Sequence, residues 1–115
     1  MIIEDNRAAA DSLRELLDLS GHEARVAYDG LAGLRAAREW LPDAVLCDIG
    51  LPGLDGYGVA VALREHSATA KARLIAITAY DSDEARRRSR EAGFERHFVK
   101  PVDPGVLLDL LAEPA

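Results

Sequence analysis

Five polar residues stand where they could act as one group: Glu4 and Asp5, Asp48, Thr78 and Lys100. Each except Asp5, which follows Glu4, comes directly after a short apolar run. Met1-Ile2-Ile3 precedes Glu4, Ala44-Val45-Leu46-Cys47 precedes Asp48, Leu74-Ile75-Ala76-Ile77 precedes Thr78, and Phe98-Val99 precedes Lys100. Carboxylates crowded together raise one another's pKa unless a cation compensates. Hard oxygen ligands suit Mg²⁺, which keeps several waters and takes one or two carboxylates plus a phosphate oxygen; Mn²⁺ accepts the same ligand type. A lysine adds a point positive charge and a threonine a hydroxyl donor, and one carboxylate can serve as the nucleophile that forms an acyl phosphate. The chemistry that suits this set is phosphoryl transfer.

The elements that must bring these residues together follow from periodicity. The first strand, Met1–Ile3, is short, so either the native N-terminus lies upstream or that strand is marginal. Ala9, Leu13, Leu16 and Leu17 fall on one face of a helix that runs to Leu19 and stops at Gly21. Ala24–Tyr28 reads as a second strand with Asp29-Gly30 as a turn, and Leu31, Leu34, Ala37 and Leu41 outline a second helix that ends before Pro42. The third strand ends on Asp48, and a helix over about Tyr57–Glu65 follows. Leu74–Ile77 is the fourth strand, Asp81-x-x-Glu84 reads as a capping box, and Gly93 closes the fourth helix. Phe98-Val99 marks the fifth strand, and Asp103-Pro104 opens the last helix as N-cap and first helical residue. Five strands alternating with five helices imply a parallel five-stranded sheet covered on both faces, a three-layer doubly wound (βα)5 sandwich. In such a sheet the residues just past each strand share the carboxyl edge, where ligands bind. With order 2-1-3-4-5, strands one and three are neighbours about 4.8 Å apart, and three carboxylates crowd into one pocket.

Composition bounds the rest. The 115 residues suit one domain, and 49% hydrophobic with 30% charged is ordinary for a globular protein. No apolar run approaches the roughly 20 residues of a membrane span, and no signal peptide is visible at the start. Cys47 is alone, which favours a reducing, cytoplasmic setting. The net charge of −6 disfavours nonspecific contact with nucleic acid or anionic membrane.

Taken together, Glu4-Asp5, Asp48-Ile49-Gly50-Leu51-Pro52-Gly53, Leu54-Asp55-Gly56, Thr78-Ala79 and Lys100-Pro101 resemble the receiver domain of two-component response regulators. They stand in that family's order and near its spacings, over essentially the whole chain. The resemblance implies the flavodoxin-like fold and a phosphorelay function. It makes Asp48 the phosphoacceptor, Asp5 a direct Mg²⁺ ligand and Glu4 one acting mainly through water, with Asp48 and the carbonyl of Gly50 completing the set. Lys100 would bridge to the phosphoryl oxygens, Thr78 would turn inward to bond one of them, and Ala79 would leave room and offer its N–H. The Lys100-Pro101 bond is expected to be cis. Implied partners are a histidine kinase or histidine phosphotransfer protein and a downstream protein. The implied activity is self-phosphorylation and dephosphorylation rather than turnover of an external substrate. The run from Ala92 to Asp103 is similar to receivers of hybrid sensor kinases, which would make the parent protein an enzyme.

Departures and rivals belong beside this. His97 stands where the family usually has Tyr or Phe as a switch residue, which keeps a pseudo-receiver, a pure interaction module, as an alternative. A phosphatase using Asp48 as nucleophile would need a second acid nearby, and Gly50 occupies the position two residues on. Gly50 and Tyr80 hold positions that tune acyl-phosphate lifetime in receivers. Gly56-Tyr57-Gly58 begins like a dinucleotide fingerprint but continues with Val61, without a Walker lysine. Asp55 reads as a turn or cap residue, Cys47 and Trp40 as core, and His22 and His66 as solvated. Arg86-Arg87-Arg88-Ser89-Arg90 reads as a solvated helix rather than a nucleic-acid patch, with little apolar surface beyond Ala85 and Ala92, hence of low local stability. Leu107, Leu108, Leu110 and Leu111 could serve the core alone or partly a homodimer face.

Overall fold

In the computed structural model, which describes residues 1–113, strands and helices alternate along the chain. They are β1 (Ile2–Ile3), α1 (Arg7–Leu19), β2 (Val26–Ala27), α2 (Gly30–Trp40), β3 (Ala44–Asp48), α3 (Gly56–Glu65), β4 (Arg73–Thr78), α4 (Asp83–Ala92), β5 (Arg96–Val99) and α5 (Pro104–Ala112). All strand pairings are parallel and the order is β2-β1-β3-β4-β5, the flavodoxin-like arrangement expected from the alternation. Parallel neighbours require crossovers, and here each crossover is a helix.

Strand alternation sorts the apolar residues into two cores. Ile3, Val45, Cys47, Leu74 and Ala76 pack with Leu34, Val59 and Leu63 of α2 and α3. Ile2, Leu46, Ile75 and Ile77 pack with Ala10, Leu17, Leu107 and Leu110 of α1 and α5. β1 has only two residues, yet both are fully enclosed, and the Met1 amine extends its ladder by donating to the Ala44 carbonyl at 3.2 Å. Because β2 pairs only with β1, it shortens from the expected Ala24–Tyr28 to Val26–Ala27. β5 lengthens toward its start because Arg96 and His97 pair with Ile75 and Ala76.

Each helix has a side-chain cap. Asn6, Asp29, Asp55, Ser82 and Asp103 accept amide hydrogen bonds from the first turns that follow them. Two expectations change here. Asp29-Gly30 is a helix start rather than a turn, with Asp29 accepting from the Ala32 amide at 2.8 Å. The capping box at Asp81 and Glu84 is not formed: Ser82 reaches the Ala85 amide at 3.0 Å, so α4 begins one step later and Asp81 pairs with Arg86 instead. Gly93 closes α4 with φ 112°, a conformation that favours glycine. Trp40 is half-buried, packed against the edge of the α2–α3 core with the Arg25 guanidinium over its ring at 4.7 Å. His66 is exposed as expected, whereas His22 is half-buried. Leu107 and Leu110 are buried and Leu108 and Leu111 half-buried, so this leucine set faces the core.

Candidate functional site

Sheet register assembles the polar residues. Ile3 pairs with Cys47, so Glu4 and Asp48 emerge side by side from β1 and β3. Asp48 pairs with Ile77, Thr78 pairs with Val99, and Lys100 follows directly. Residues distant in sequence thus share one edge by strand geometry alone.

Three carboxylates meet there. Oxygens of Glu4, Asp5 and Asp48 lie within 4.8 Å of one another, with Glu4 and Asp48 buried and Asp5 exposed. The compensating charge within the protein is Lys100, whose Nζ lies 2.5 Å from Glu4 Oε1 and 3.4 Å from Asp48 Oδ2. Burial works to lower the Lys100 pKa, but the hydrogen bond to Glu4 and the charges of Asp48 and Glu4 outweigh it, and the value stands above that of a free lysine. One ammonium against three carboxylates leaves the cluster with two formal negative charges in excess. An all-oxygen donor set of this kind, open to solvent on the Asp5 side, fits Mg²⁺.

The loop after Asp48 is held close to it. Asp48 Oδ1 accepts from the Gly50 amide at 3.2 Å. Gly56 packs so tightly beneath that a Cβ there would come within 2.5 Å of the Asp48 carbonyl oxygen and 2.6 Å of Ile49 Cα. Asp55 caps α3 through the Gly58 amide at 2.9 Å, the structural role read from its sequence position. Cys47 turns into the α2–α3 core; burial, reinforced by the nearby charges of Asp48, Asp55 and Glu4, pushes its thiol pKa far up, so the thiol stays protonated. The Lys100-Pro101 bond is cis. A cavity of about 450 Å³ opens beside Asp48 and Lys100, walled by Ala9, Leu13, Ile77 and Val102.

Thr78 is buried at the edge, its Oγ1 accepting from the Tyr80 amide at 3.1 Å. Ala79 and Tyr80 are exposed beside it. His97 lies apart from the carboxylates, between the Tyr80 carbonyl and the Ser89 hydroxyl.

Residues 1–112 match the response regulator receiver domain family. The chain belongs to that family. The receiver is 35% identical over 102 residues to the polar-differentiation response regulator DivK of Brucella anthropi, covering 89% of this chain and 83% of that protein. Among solved structures, a putative response regulator from Chloroflexus aurantiacus superposes with a TM-score of 0.89 at 33% identity, over 96% of this chain and 90% of the other. The receiver domain of the sensor histidine kinase PA1611 from Pseudomonas aeruginosa superposes with a TM-score of 0.87 at 28% identity, over 96% of this receiver and 90% of that chain, and holds a magnesium ion in its active-site cleft.

Sequence reasoning missed two residues that tie elements of the fold together. Arg73 donates to the Leu110 carbonyl at 3.0 Å and pairs with Glu95, tying the start of β4 to the end of α5. Ser89 was lost inside the arginine run. Its spacing with Ala85 and Ala92, four and three residues, marks the inward stripe of a helix and could have found it.

Proposed function

We propose that this receiver accepts a phosphoryl group on Asp48 from a phosphohistidine of a kinase or phosphotransfer protein, and relays that event to a downstream protein in the cytoplasm. The observation that carries it is the convergence of Glu4, Asp5, Asp48 and Lys100, with Thr78 at the neighbouring strand end.

Asp48 is the nucleophile. Its buried position fixes the carboxylate, and Gly50 N–H orients one oxygen. An Asp48 oxygen bonds to phosphorus as the phosphorus–nitrogen bond to the donor imidazole breaks, and the imidazole leaves with the electron pair. Lys100 shifts from Glu4 and Asp48 toward the incoming oxygens. Thr78 and the Ala79 amide supply hydrogen-bond donors at the edge. Glu4, Asp5, Asp48 and the Gly50 carbonyl would hold Mg²⁺ or Mn²⁺, which when bound neutralises charge on the transferring group. The apolar cavity beside Asp48 gives the docking partner a surface to bury.

The test is intact mass after incubation with Mg²⁺ and a small acyl-phosphate donor. One added phosphoryl group is expected on the wild type, and none on Asp48→Asn or without the metal. An adduct that persists in Asp48→Asn, or none on the wild type under cold, early quenching, would sink the proposal.

A further inference from the structure

We propose that a cavity at the amino edge of the sheet binds a small organic ammonium ion with an aromatic body, at the opposite end of the molecule from the phosphorylation site.

The cavity spans about 490 Å³ among the ends of α1, α2 and α5 and the starts of β3 and β4. That size suits a small molecule, and such sites join apolar walls to a few placed polar groups. Leu17, Trp40, Leu41 and Leu111 supply the apolar wall. The charged groups are mostly of one sign. Glu23, Asp43 and Glu113 stand exposed at the rim, and none of them is in an ion pair among the described residues. The guanidinium in the wall, Arg73, is already engaged: it donates to Glu95 at 3.0 Å and to the carbonyls of Leu110 and Glu113 at 3.0 and 3.1 Å. The Met1 amine donates to the Ala44 carbonyl, and burial lowers its pKa to about 6, so it is mostly uncharged above pH 7. Three carboxylates against one guanidinium leave two formal negative charges in excess around an apolar hollow. That combination selects a cation with an apolar body over an anion of the same shape.

Two features of the wall fit this occupant. Trp40 presents the aromatic ring that attracts cations best. It already draws one, Arg25 at 4.7 Å, which is not part of the cavity wall. Leu41, at the rim, has φ 53° and ψ 61°, the left-handed conformation in which helices usually end on glycine. A leucine there carries backbone strain, and its side chain is left 51% exposed. Folding alone favours glycine at this position, whereas a ligand that packs against the isobutyl group accounts for the leucine. Asp43 and Asp48 are separated by the length of β3, about 16 Å. A ligand here makes no contact with the phosphoryl group, and its binding needs neither Mg²⁺ nor phosphorylation.

Trp40 is the sole tryptophan, so its emission reports this cavity. The probe is 2-phenylethylammonium, titrated into the unphosphorylated protein, with 2-phenylethanol and 3-phenylpropionate as neutral and anionic counterparts. A saturable change in Trp40 emission is expected, with a Kd on the order of 1 mM, the reach of so small a ligand. The alcohol and the carboxylate are expected to bind at least about fivefold more weakly. Asp43→Asn and Glu23→Gln should each weaken the ammonium by about two- to fivefold, as should raised salt. Asp48→Asn should bind it as the wild type does, which excludes the acidic cluster at the carboxyl edge as the source of the signal. Leu41→Gly separates the cavity from the fold. It is expected to weaken binding while leaving the urea midpoint unchanged or higher, because glycine accepts that φ without strain. No saturable change at millimolar probe, equal binding of the three probes, or full affinity in both Asp43→Asn and Glu23→Gln would overturn the proposal. So would a Leu41→Gly protein that unfolds at lower urea with binding intact.

Discussion

At the scale of single residues, Lys100 shapes the site before any ligand arrives. Its ammonium bridges Glu4 and Asp48, two of the carboxylates that would hold a divalent cation. Opposite charges at about 4 Å interact by roughly 4 kcal/mol at an effective dielectric near 20, and partial exposure of the lysine reduces this. Lys100→Ala is therefore expected to tighten Mg²⁺ binding by about tenfold in calorimetric titration while slowing phosphoryl uptake. Looser metal binding would mean that the lysine organises the carboxylates rather than competing for them. Gly56 sets the opposite constraint, on backbone. A methyl group there meets main-chain atoms of Asp48 and Ile49, which cannot yield as a side-chain tip would. Gly56→Ala should cost about 1–3 kcal/mol in urea unfolding, the range for forced overpacking, and should displace the Gly50 amide from Asp48.

At the scale of elements, Arg64 and Arg73 do work that no strand or helix pattern announces. The guanidinium of Arg64 donates to the carbonyls of Ala70, Ala72 and Gly93, closing the end of α3 onto the turn that ends α4. Removing it leaves three partly buried carbonyls to find water. Arg64→Met is expected to destabilise the fold by about 3 kcal/mol in urea unfolding, in line with charged hydrogen bonds. Arg64→Lys should recover little of this, because an ammonium cannot span the fork. α4 lies at the other extreme: its buried stripe is Ala85, Ser89 and Ala92, and helices that bury so little apolar surface are expected to have low local stability. The helix order was legible because strand and helix periods differ and because Asp55, Gly93 and Asp103-Pro104 are strong local signals. The start of α4 was less so: Asp81 and Ser82 are both good caps, and only the hydrogen bond to Ala85 decides between them.

For the molecule as a whole, the sheet's amino edge should show in its pH response. Burial lowers the pKa of the Met1 amine from 8.0 to about 6, with Asp43 opposing the shift. A base whose folded pKa lies below its unfolded value binds more protons in the unfolded chain between those two points, so stability rises with pH there. In the chain beginning at Met1, stability should increase by about 2 kcal/mol from pH 6 to pH 8, at 1.36 kcal/mol per unit. Acetylating the amine should flatten that slope; an unchanged slope would assign it to other groups. No helix among the described residues is long and apolar enough to cross a membrane.

Sequence alone determined which elements form, that they alternate, and where every strand but β2 ends, because these depend on local periodicity and caps. It therefore placed Glu4, Asp48, Thr78 and Lys100 at the carboxyl ends of their strands before any strand had a neighbour. Only the tertiary structure decided the register that sets Glu4 beside Asp48, the bridging position of Lys100, and the partners of Ser89, Arg64 and Arg73. Those facts lie in hydrogen bonds between residues far apart in the chain, made to particular atoms at particular distances. Residue type and spacing carry no record of them until the sheet has closed and the helices have packed.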